Sequence, residues 1–143
     1  MKADCIAKAE IEIDAPLNTV WDALVNPARI KEYMFGTNVA TDWKEGSPIT
    51  WRGEWKGKKY EDKGVIRKVQ PERMLQYTHF SPLAGQPDKP ENYHTVTVEV
   101  SGHNGHTHVT LLQDNNPTEE ACAHSEENWK MMLTSMKKLL ETK

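Results

Sequence analysis

The feature that most constrains the fold is the end of the chain, where residues 118–142 carry the pattern of one long amphipathic helix. Thr118 is typical of an N-cap, glutamates follow it, and lysines lie near the end, as the helix dipole favours. The apolar residues of this segment form a broad stripe at i, i+3 and i+4 spacing: Trp129, Met132, Leu133, Met136, Leu139 and Leu140. We expect this stripe to pack on the apolar face of a sheet. A dimer seam is the weaker alternative, because the stripe is wider than a two-position seam.

A β-hairpin precedes this helix, and its turn fixes its register. Asn104-Gly105 lies between two alternating runs within residues 94–113, which is the strongest short hairpin signal. With these two residues as the turn, the facing pairs are His103 with His106, Val100 with Val109, Val98 with Leu111, and Val96 with Gln113. The register therefore predicts that the apolar pairs share one face of the sheet.

The first third of the chain predicts one strand and two short helices. Residues 5–14 alternate, although Ile6 is out of parity with Ile11 and Ile13. Residues 15–27 have helical spacing between two prolines, and residues 28–36 predict a second short helix that ends at a glycine.

Period-two patterns follow from residue 48 to residue 80. The first strand places Ile49, Trp51 and Trp55 on one face, and the next contains Gly64, which suggests a bulge. The third strand places Leu75, Tyr77 and His79 together on one side. A proline-rich loop at residues 81–92 is long enough to cover a binding site, although plain surface irregularity is the more frequent explanation.

The composition limits the classes of function. The chain has 143 residues, 37% hydrophobic and 27% charged, with a formal net charge of -3. Its interspersed charges argue against nucleic-acid binding, which needs clustered Lys and Arg. We expect no signal peptide, no membrane insertion and a cytoplasmic location, because no long apolar segment occurs. The length predicts one domain covering residues 1–143.

Cys5 and Cys122 are far apart in sequence and form no C-x-x-C motif. In a reducing compartment we expect two buried free thiols. A single disulfide between the two ends of the chain is the alternative, since the sequence does not reveal their separation.

The histidines divide into two groups. His103, His106 and His108 resemble a metal site in spacing, but the hairpin register places all three on the outer face without a fourth ligand nearby. We interpret them as solvated side chains and expect no metal ion and no cofactor. His79 shares the inward face, as a hydrogen-bonded core residue or as the polar contact that orients a ligand. Acid–base catalysis by His79 is the least favoured role, because the sequence reveals no partner for it.

Four segments resemble one known family, the activator of heat-shock protein 90 ATPase homologue-like branch of the SRPBCC superfamily. They are VWDALVNPARIKEYM at 20–34, DWKEGSPITWRGEW at 42–55, GVIRKVQPERMLQYTHFS at 64–81 and NWKMMLTSMKKLLE at 128–141. That superfamily includes START domains and the birch-pollen allergen type. The similarity extends from about residue 10 to the C-terminus.

The resemblance implies an α+β helix-grip fold. We expect a curved antiparallel sheet of about six to seven strands wrapped around the long C-terminal helix, with two short helices after the first strand and a cavity in between. The family's usual Gly-Trp in the last helix is Asn128-Trp129 here, which affects only local packing.

The superfamily resemblance implies binding of a small hydrophobic or aromatic molecule: a lipid, sterol, polyketide or flavonoid-like compound. We expect the cavity walls to combine inward aromatic and methionine side chains, with Tyr33, Met34 and Phe35 at the entrance. The full set of expected ligand-binding residues is Tyr33, Met34, Phe35, Trp51, Tyr77, His79, Val98, Leu111, Gln113, Trp129, Leu133 and Met136.

Three alternatives remain open from the sequence. The family name implies a chaperone-associated protein that binds or stimulates a heat-shock protein 90 ATPase, although the separate N-terminal chaperone-binding domain of the eukaryotic activators has no counterpart in these residues. A polyketide cyclase or aromatase-like enzyme would need acid–base groups in the cavity, for which His79 is the visible candidate. Finally, the five tryptophans could fill the cavity themselves.

Overall fold

A computed structural model of the chain describes residues 5–55, 57–81, 87–116 and 118–141. The elements in chain order are β1 Cys5–Ile13, α1 Leu17–Val25, α2 Pro27–Tyr33, β2 Asn38–Ala40, β3 Pro48–Trp55, β4 Lys58–Gln70, β5 Met74–His79, a 3₁₀ turn Pro90–Asn92, β6 His94–His103, β7 His106–Asn116 and α3 Glu119–Glu141.

The seven strands form one open antiparallel sheet in the order β1-β7-β6-β5-β4-β3-β2. The 23 residues of α3 span about 35 Å at 1.5 Å per residue. This helix packs chiefly on β1, with further contacts to β7 and α2. The expected α+β helix-grip architecture, with two short helices after the first strand, is confirmed.

The hairpin register predicted from Asn104-Gly105 is confirmed. His103 pairs with His106, and the pairs further down the hairpin are Val100 with Val109, Val98 with Leu111 and Val96 with Gln113. Asn104 and Gly105 have φ values of 51° and 79°, as a two-residue turn of this kind requires.

Two of the three outer-face histidines contact acidic residues in β1 or directly after it. Because β1 pairs with β7, Glu12 lies opposite His108, and the His108 ring contacts both Glu10 at 3.0 Å and Glu12 at 2.7 Å. His106 contacts Asp14 at 3.2 Å. The predicted outward orientation of these histidines is therefore confirmed.

Local signals account for the helix ends. Thr118 Oγ1 accepts a hydrogen bond from the Ala121 amide at 3.0 Å, as the N-cap pattern predicts. The second short helix ends at Tyr33, three residues before the predicted glycine. Phe35 and Gly36 have positive φ values of 56° and 91°, so the chain turns there instead of continuing the helix.

Two features of the sheet differ from the sequence expectations. The bulge in β4 lies between Ile66 and Lys68, and not at Gly64. Gly64 instead permits a close backbone approach, because a Cβ there would lie 1.7 Å from the Thr78 carbonyl oxygen. The sequence also gave no separate signal for β2, which has only three residues and pairs with β3.

The expectation of two free thiols is wrong. Cys5 and Cys122 form a disulfide with a Cα–Cα distance of 6.0 Å. The pairing of β1 with the end of β7 places Cys5 opposite Asn116, and α3 begins three residues later. The chain therefore brings its first strand and the first turn of its last helix together.

The core lies between the sheet and the helices. Ile13, Ile66, Val96, Val109, Leu133 and Met136 are among its fully buried side chains. Ile6 is 54% exposed, which agrees with its position on the opposite face of β1 from Ile13. In the part of the chain that the structure describes, no helix is long and apolar enough to cross a membrane.

Candidate functional site

A cavity of about 490 Å³ opens between α3 and the part of the sheet formed by β3, β4 and β5. It exists because α3 packs chiefly on β1 and leaves this side of the sheet less covered. Its apolar wall is formed by Met34, Phe35, Trp129, Met131 and Met132. Phe35 and Met131 are each 57% exposed and mark its mouth.

A recess of about 180 Å³ extends the cavity inward. The residues that line both spaces are Met34, Thr37, Tyr60, Asp62, His79 and Trp129. Trp51 and Tyr77 also line the recess, with ring centroids 5.1 Å apart. Burial raises the pKa of the Tyr77 hydroxyl well above its usual range, so this group stays protonated.

His79 and Asp62 form a hydrogen-bonded pair in the recess. His79 Nε2 lies 2.9 Å from Asp62 Oδ2, and the two side chains are 26% and 17% exposed. Asp62 faces inward because it lies opposite Trp51 in the β3–β4 register. Asp62 Oδ1 is buried and has no hydrogen-bond partner among the described residues. The sequence-based conclusion that His79 has no partner is therefore wrong.

The Trp51 ring packs edge-on against the His79 ring, with centroids 5.0 Å apart. An imidazole that is held by a carboxylate on one nitrogen and by an indole on its side has little freedom to rotate. Such a pair can orient a ligand, and an imidazole in contact with a carboxylate can also transfer protons.

Tyr60 and Thr37 form a second polar contact in the recess, with oxygens 2.6 Å apart. Thr37 Oγ1 donates to the Met34 carbonyl at 2.8 Å, so the Tyr60 hydroxyl is the donor to Thr37. Gly53 makes this arrangement possible, because a Cβ there would lie 2.5 Å from the Tyr60 hydroxyl oxygen. The oxygen of Tyr60 keeps the capacity to accept one more hydrogen bond.

Gln113 lines the cavity, but its amide is engaged within the protein. Its Oε1 accepts from the Trp129 indole nitrogen at 2.5 Å. Its Nε2 lies 3.3 Å from Asn116 Oδ1 and 3.4 Å from Ser125 Oγ. Gln113 therefore holds Trp129 in place.

Five of the expected ligand-binding residues lie in the packed core. Leu133 and Met136 are fully buried and line none of the cavities described. Tyr33, Val98 and Leu111 border a void of about 30 Å³, which is about the volume of one water molecule. Tyr33 donates to the Ala23 carbonyl at 2.9 Å, and burial raises the pKa of its hydroxyl.

The other seven residues of the expected set line the cavity or its recess: Met34, Phe35, Trp51, Tyr77, His79, Gln113 and Trp129. The side chain of Trp55 and residues 82–86 of the proline-rich loop lie outside the described part of the chain. Asp62, Tyr60 and Thr37 also line the cavity, although their sequence pattern did not predict it. Tyr60, Asp62 and Gly64 are two residues apart along β4, so they share one face of the strand. This spacing would have identified Tyr60 and Asp62 if the sequence had shown which face of β4 points inward.

A second depression, of about 610 Å³, lies at the edge of the sheet formed by β3 and β4. Its walls include the charged residues Lys31, Arg52, Lys59 and Glu61. Among the described residues, no group of three or more His, Cys, Asp or Glu side chains is arranged to hold a metal ion.

Comparisons with known proteins place this architecture among solved structures. The chain is similar to ChR145 from Cytophaga hutchinsonii, with 56% identity, a TM-score of 0.86, and coverage of 99% of this chain and 97% of that one. It is also similar in fold to the Aha1 dimer from Colwellia psychrerythraea, with 19% identity, a TM-score of 0.74, and coverage of 96% of both chains. DynU16, from the dynemicin biosynthetic locus, has 16% identity and a TM-score of 0.80, and the match covers 96% of this chain and 47% of that one.

None of the curated proteins matches the chain. The family model described as activator of Hsp90 ATPase homolog 1-like protein matches residues 14–141. This match covers nearly the whole sequence and includes every element that lines the cavity. The chain therefore belongs to the activator of Hsp90 ATPase homolog 1-like protein family.

Proposed function

We propose that this protein binds a small hydrophobic or aromatic molecule in the cavity between the sheet and α3, without transforming it. The observation that carries the proposal is the 490 Å³ cavity, whose lining combines aromatic and methionine side chains with the polar pair His79 and Asp62. Small-molecule sites commonly have volumes of about 300–1,000 Å³ and a few fixed polar groups. Lipids, sterols, polyketides and flavonoid-like compounds all have this balance of surfaces.

The apolar walls supply the free energy of binding. A ligand that buries about 200 Å² of apolar surface gains roughly 5 kcal/mol at about 25 cal/mol per Å². Lost translational and rotational freedom offsets part of this gain. Met34, Met131 and Met132 suit such a site because methionine side chains adapt to different ligand shapes.

The proposal gives three roles to the expected residues. Met34, Phe35, Trp51, Tyr77, His79 and Trp129 contact the ligand. The core residues support these walls from behind: Tyr33, Val98, Leu111, Leu133 and Met136. Gln113 orients Trp129 through the hydrogen bond to the indole nitrogen.

An amide NMR titration of the isotope-labelled protein tests this proposal. The panel contains a fatty acid, a sterol and a flavonoid. We expect at least one compound to cause saturable shifts in β3, β4, β5 and residues 125–132 of α3. A folded protein whose spectrum does not change with any compound would contradict the proposal and favour a cavity without a ligand.

A pair of variants controls for the place of binding. Asn128 lines the cavity, so Asn128→Trp should block it and weaken binding at least about tenfold. Lys130 is exposed on the same helix and does not line the cavity, so Lys130→Trp should bind normally. Equal affinities for the two variants would mean that the ligand binds elsewhere.

An enzymatic role, of the polyketide cyclase or aromatase type, is the second candidate. The observation that favours it is the His79–Asp62 pair, an imidazole and a carboxylate 2.9 Å apart inside a cavity. Such a pair could remove a proton from carbon next to a ketone. The test is proton–deuterium exchange at the methyl group of acetophenone in D₂O. Exchange that is faster with the wild-type protein than with His79→Ala would support catalysis, and equal rates would contradict it.

A chaperone-associated role is the third candidate, and family membership alone supports it. The test is the ATPase rate of the heat-shock protein 90 homologue from the same organism, with and without this protein. An unchanged rate together with no detectable association would contradict this role.

A further inference from the structure

We propose that Asp62 selects the ligand by its hydrogen-bonding chemistry. The bound molecule is a planar apolar compound that presents a donor, either a hydroxyl or an amine, to the Asp62 carboxylate. Molecules whose polar end is itself a carboxylate, such as fatty acids, are rejected. This inference rests on the proposed function, because it assigns the chemistry of the ligand in the same cavity.

The first observation is that Asp62 lacks hydrogen-bond donors. An ionised carboxylate has room for about four hydrogen bonds. Among the described residues, the Asp62 side chain receives one, from His79 to Oδ2, and Oδ1 is buried without a partner. A buried acceptor without a donor has lost its hydration without replacement. A donor on the ligand would restore this missing hydrogen bond after a small rotation about the soft Cβ–Cγ bond.

Neighbouring polar groups do not supply this donor. The Tyr60 hydroxyl donates to Thr37, which leaves the Tyr60 oxygen as another acceptor. The indole N–H of Trp129 is engaged with Gln113. Tyr77 has a protonated hydroxyl in the recess, which suits a neutral acceptor on the ligand, such as a ketone oxygen.

The charges around the cavity disfavour an anionic ligand. Asp62 lies at the inner end and Glu54 lies on the wall of the larger space. Neither Lys nor Arg occurs among the described residues that line the cavity or its recess. His79 is the cationic candidate there, and it already faces Asp62. A carboxylate on the ligand would lose its hydration without gaining a positive partner.

The aromatic walls suit both kinds of donor-bearing ligand. Trp51 and Trp129 line the recess and supply aromatic surface for a planar apolar body. Tryptophan is also the side chain that attracts a protonated amine most strongly through its ring face. A phenol-type hydroxyl and a protonated amine therefore share the same recognition chemistry at this carboxylate.

Four naphthalenes that differ in one substituent test the inference: 2-naphthol, 2-(aminomethyl)naphthalene, 2-methylnaphthalene and 2-naphthoate. Affinities are measured by NMR titration of the wild-type protein. We expect one or both donor-bearing compounds to bind about tenfold or more tightly than 2-methylnaphthalene, as a hydrogen bond to a charged group predicts. We expect 2-naphthoate to bind most weakly. The hydroxyl and amine arms show whether the preferred donor is neutral or cationic.

Two variants connect the preference to one carboxylate. Asp62→Asn keeps the shape but removes the charge and one acceptor, so the donor advantage should fall at least about fivefold and 2-naphthoate should bind better than in the wild-type protein. Glu61→Gln removes the same charge at the neighbouring position on β4, which lines neither the cavity nor its recess, and the ranking of the four compounds should stay as in the wild-type protein.

The outcomes separate this inference from the proposed function. If none of the four naphthalenes binds while the fatty acid, the sterol or the flavonoid does, the ligand chemistry inferred here is overturned. If no compound of either set binds, the proposed function fails. If the four bind with equal affinity, or 2-naphthoate binds best, the cavity is a binding site but the role of Asp62 is overturned. An unchanged ranking in Asp62→Asn overturns it as well. Should that variant not fold, the wild-type series alone decides between these outcomes.

Discussion

Trp129 on α3 donates its indole N–H to the side-chain carbonyl of Gln113 on β7, over a distance of 2.5 Å. This bond joins the terminal helix to the sheet beside the cavity. Gln113 is only 7% exposed, and its amide nitrogen continues the network to Asn116 and Ser125. The glutamine thus supports the cavity wall formed by the indole.

Gln113→Leu should destabilise the protein by about 1–3 kcal/mol, because it leaves the partly buried indole N–H without an acceptor. Urea unfolding measures this loss. Gln76→Leu is the matched control, since the partly buried Gln76 side chain makes one hydrogen bond among the described residues, to Thr97 Oγ1. Gln76→Leu should lower the free energy of unfolding less than Gln113→Leu does. A Gln113→Leu protein as stable as the wild type would contradict the supporting role of the network.

Leu133 and Met131 are near neighbours on α3 with opposite surroundings. Leu133 is fully buried, so Leu133→Ala should lower the free energy of unfolding by about 2–5 kcal/mol. Met131 is 57% exposed at the cavity mouth, so Met131→Ala should change stability by about 0.5 kcal/mol or less. Met131→Ala should weaken the binding of 2-naphthol more than Leu133→Ala does, because Met131 lines the cavity and Leu133 does not. Thermal unfolding and NMR titration of both variants check these expectations together.

The Cys5–Cys122 disulfide closes a loop with a sequence separation of 117 residues. A disulfide stabilises a fold mainly because it restricts the unfolded chain, and the effect grows with the length of the closed loop. The double variant Cys5→Ser, Cys122→Ser should therefore be less stable than the wild type by about 2–4 kcal/mol. Adding dithiothreitol should lower the melting temperature of the wild-type protein and leave that of the double variant unchanged. If the reductant has no effect on a wild-type protein in which mass spectrometry shows two free thiols, the disulfide does not stabilise the fold.

His108 makes the stability depend on pH near neutrality. The hydrogen bond that this imidazole donates to Glu10, and secondly the one that it donates to Glu12, raise its pKa above the usual value. The stabilisation is therefore complete below the unfolded pKa of about 6.5 and is lost as the pH rises through the higher folded pKa. The pKa of Glu10 is lowered, chiefly by its hydrogen bond with His108. Its contribution is present above its unfolded pKa and is lost as the pH falls through the lower folded pKa.

Melting temperatures measured between pH 3 and pH 9 test this dependence, with His108→Gln as the comparison. The melting temperature of the wild type should exceed that of the variant at neutral pH, and this difference should disappear as the pH rises above neutrality. The difference should also disappear at acidic pH, where Glu10 becomes protonated. The effect should be small because these groups are largely exposed. Parallel curves for the two proteins would argue against the ion pairs.

The hairpin could be predicted in detail because Asn104-Gly105 fixes a local register, and local turns carry their own sequence signal. The β3–β4–β5 region could not, because the bulge between Ile66 and Lys68 interrupts the alternation. That uncertainty concealed Asp62, which pairs with His79 from a neighbouring strand. Pattern analysis finds faces of elements, whereas this contact depends on the register between two of them.

The core and the cavity were hard to separate for a different reason. Trp129, Leu133 and Met136 belong to one apolar stripe in the sequence. In the fold, Trp129 faces the cavity while the other two residues are fully buried. The position at which α3 crosses the sheet determines which residues of the stripe are buried against the sheet. The Cys5–Cys122 contact likewise joins the two ends of the chain through the β1–β7 pairing, for which the spacing of the cysteines gave no evidence.

The most direct test of the ligand cavity uses the methyl groups of methionine. The protein is labelled with ¹³C at these methyl groups, and intermolecular nuclear Overhauser effects to bound 2-naphthol are measured. We predict contacts to Met34, Met131 and Met132, which line the cavity, and none to Met136, which is fully buried on the same helix. Contacts to Met136, or to none of the three lining methionines while 2-naphthol is bound, would contradict the account.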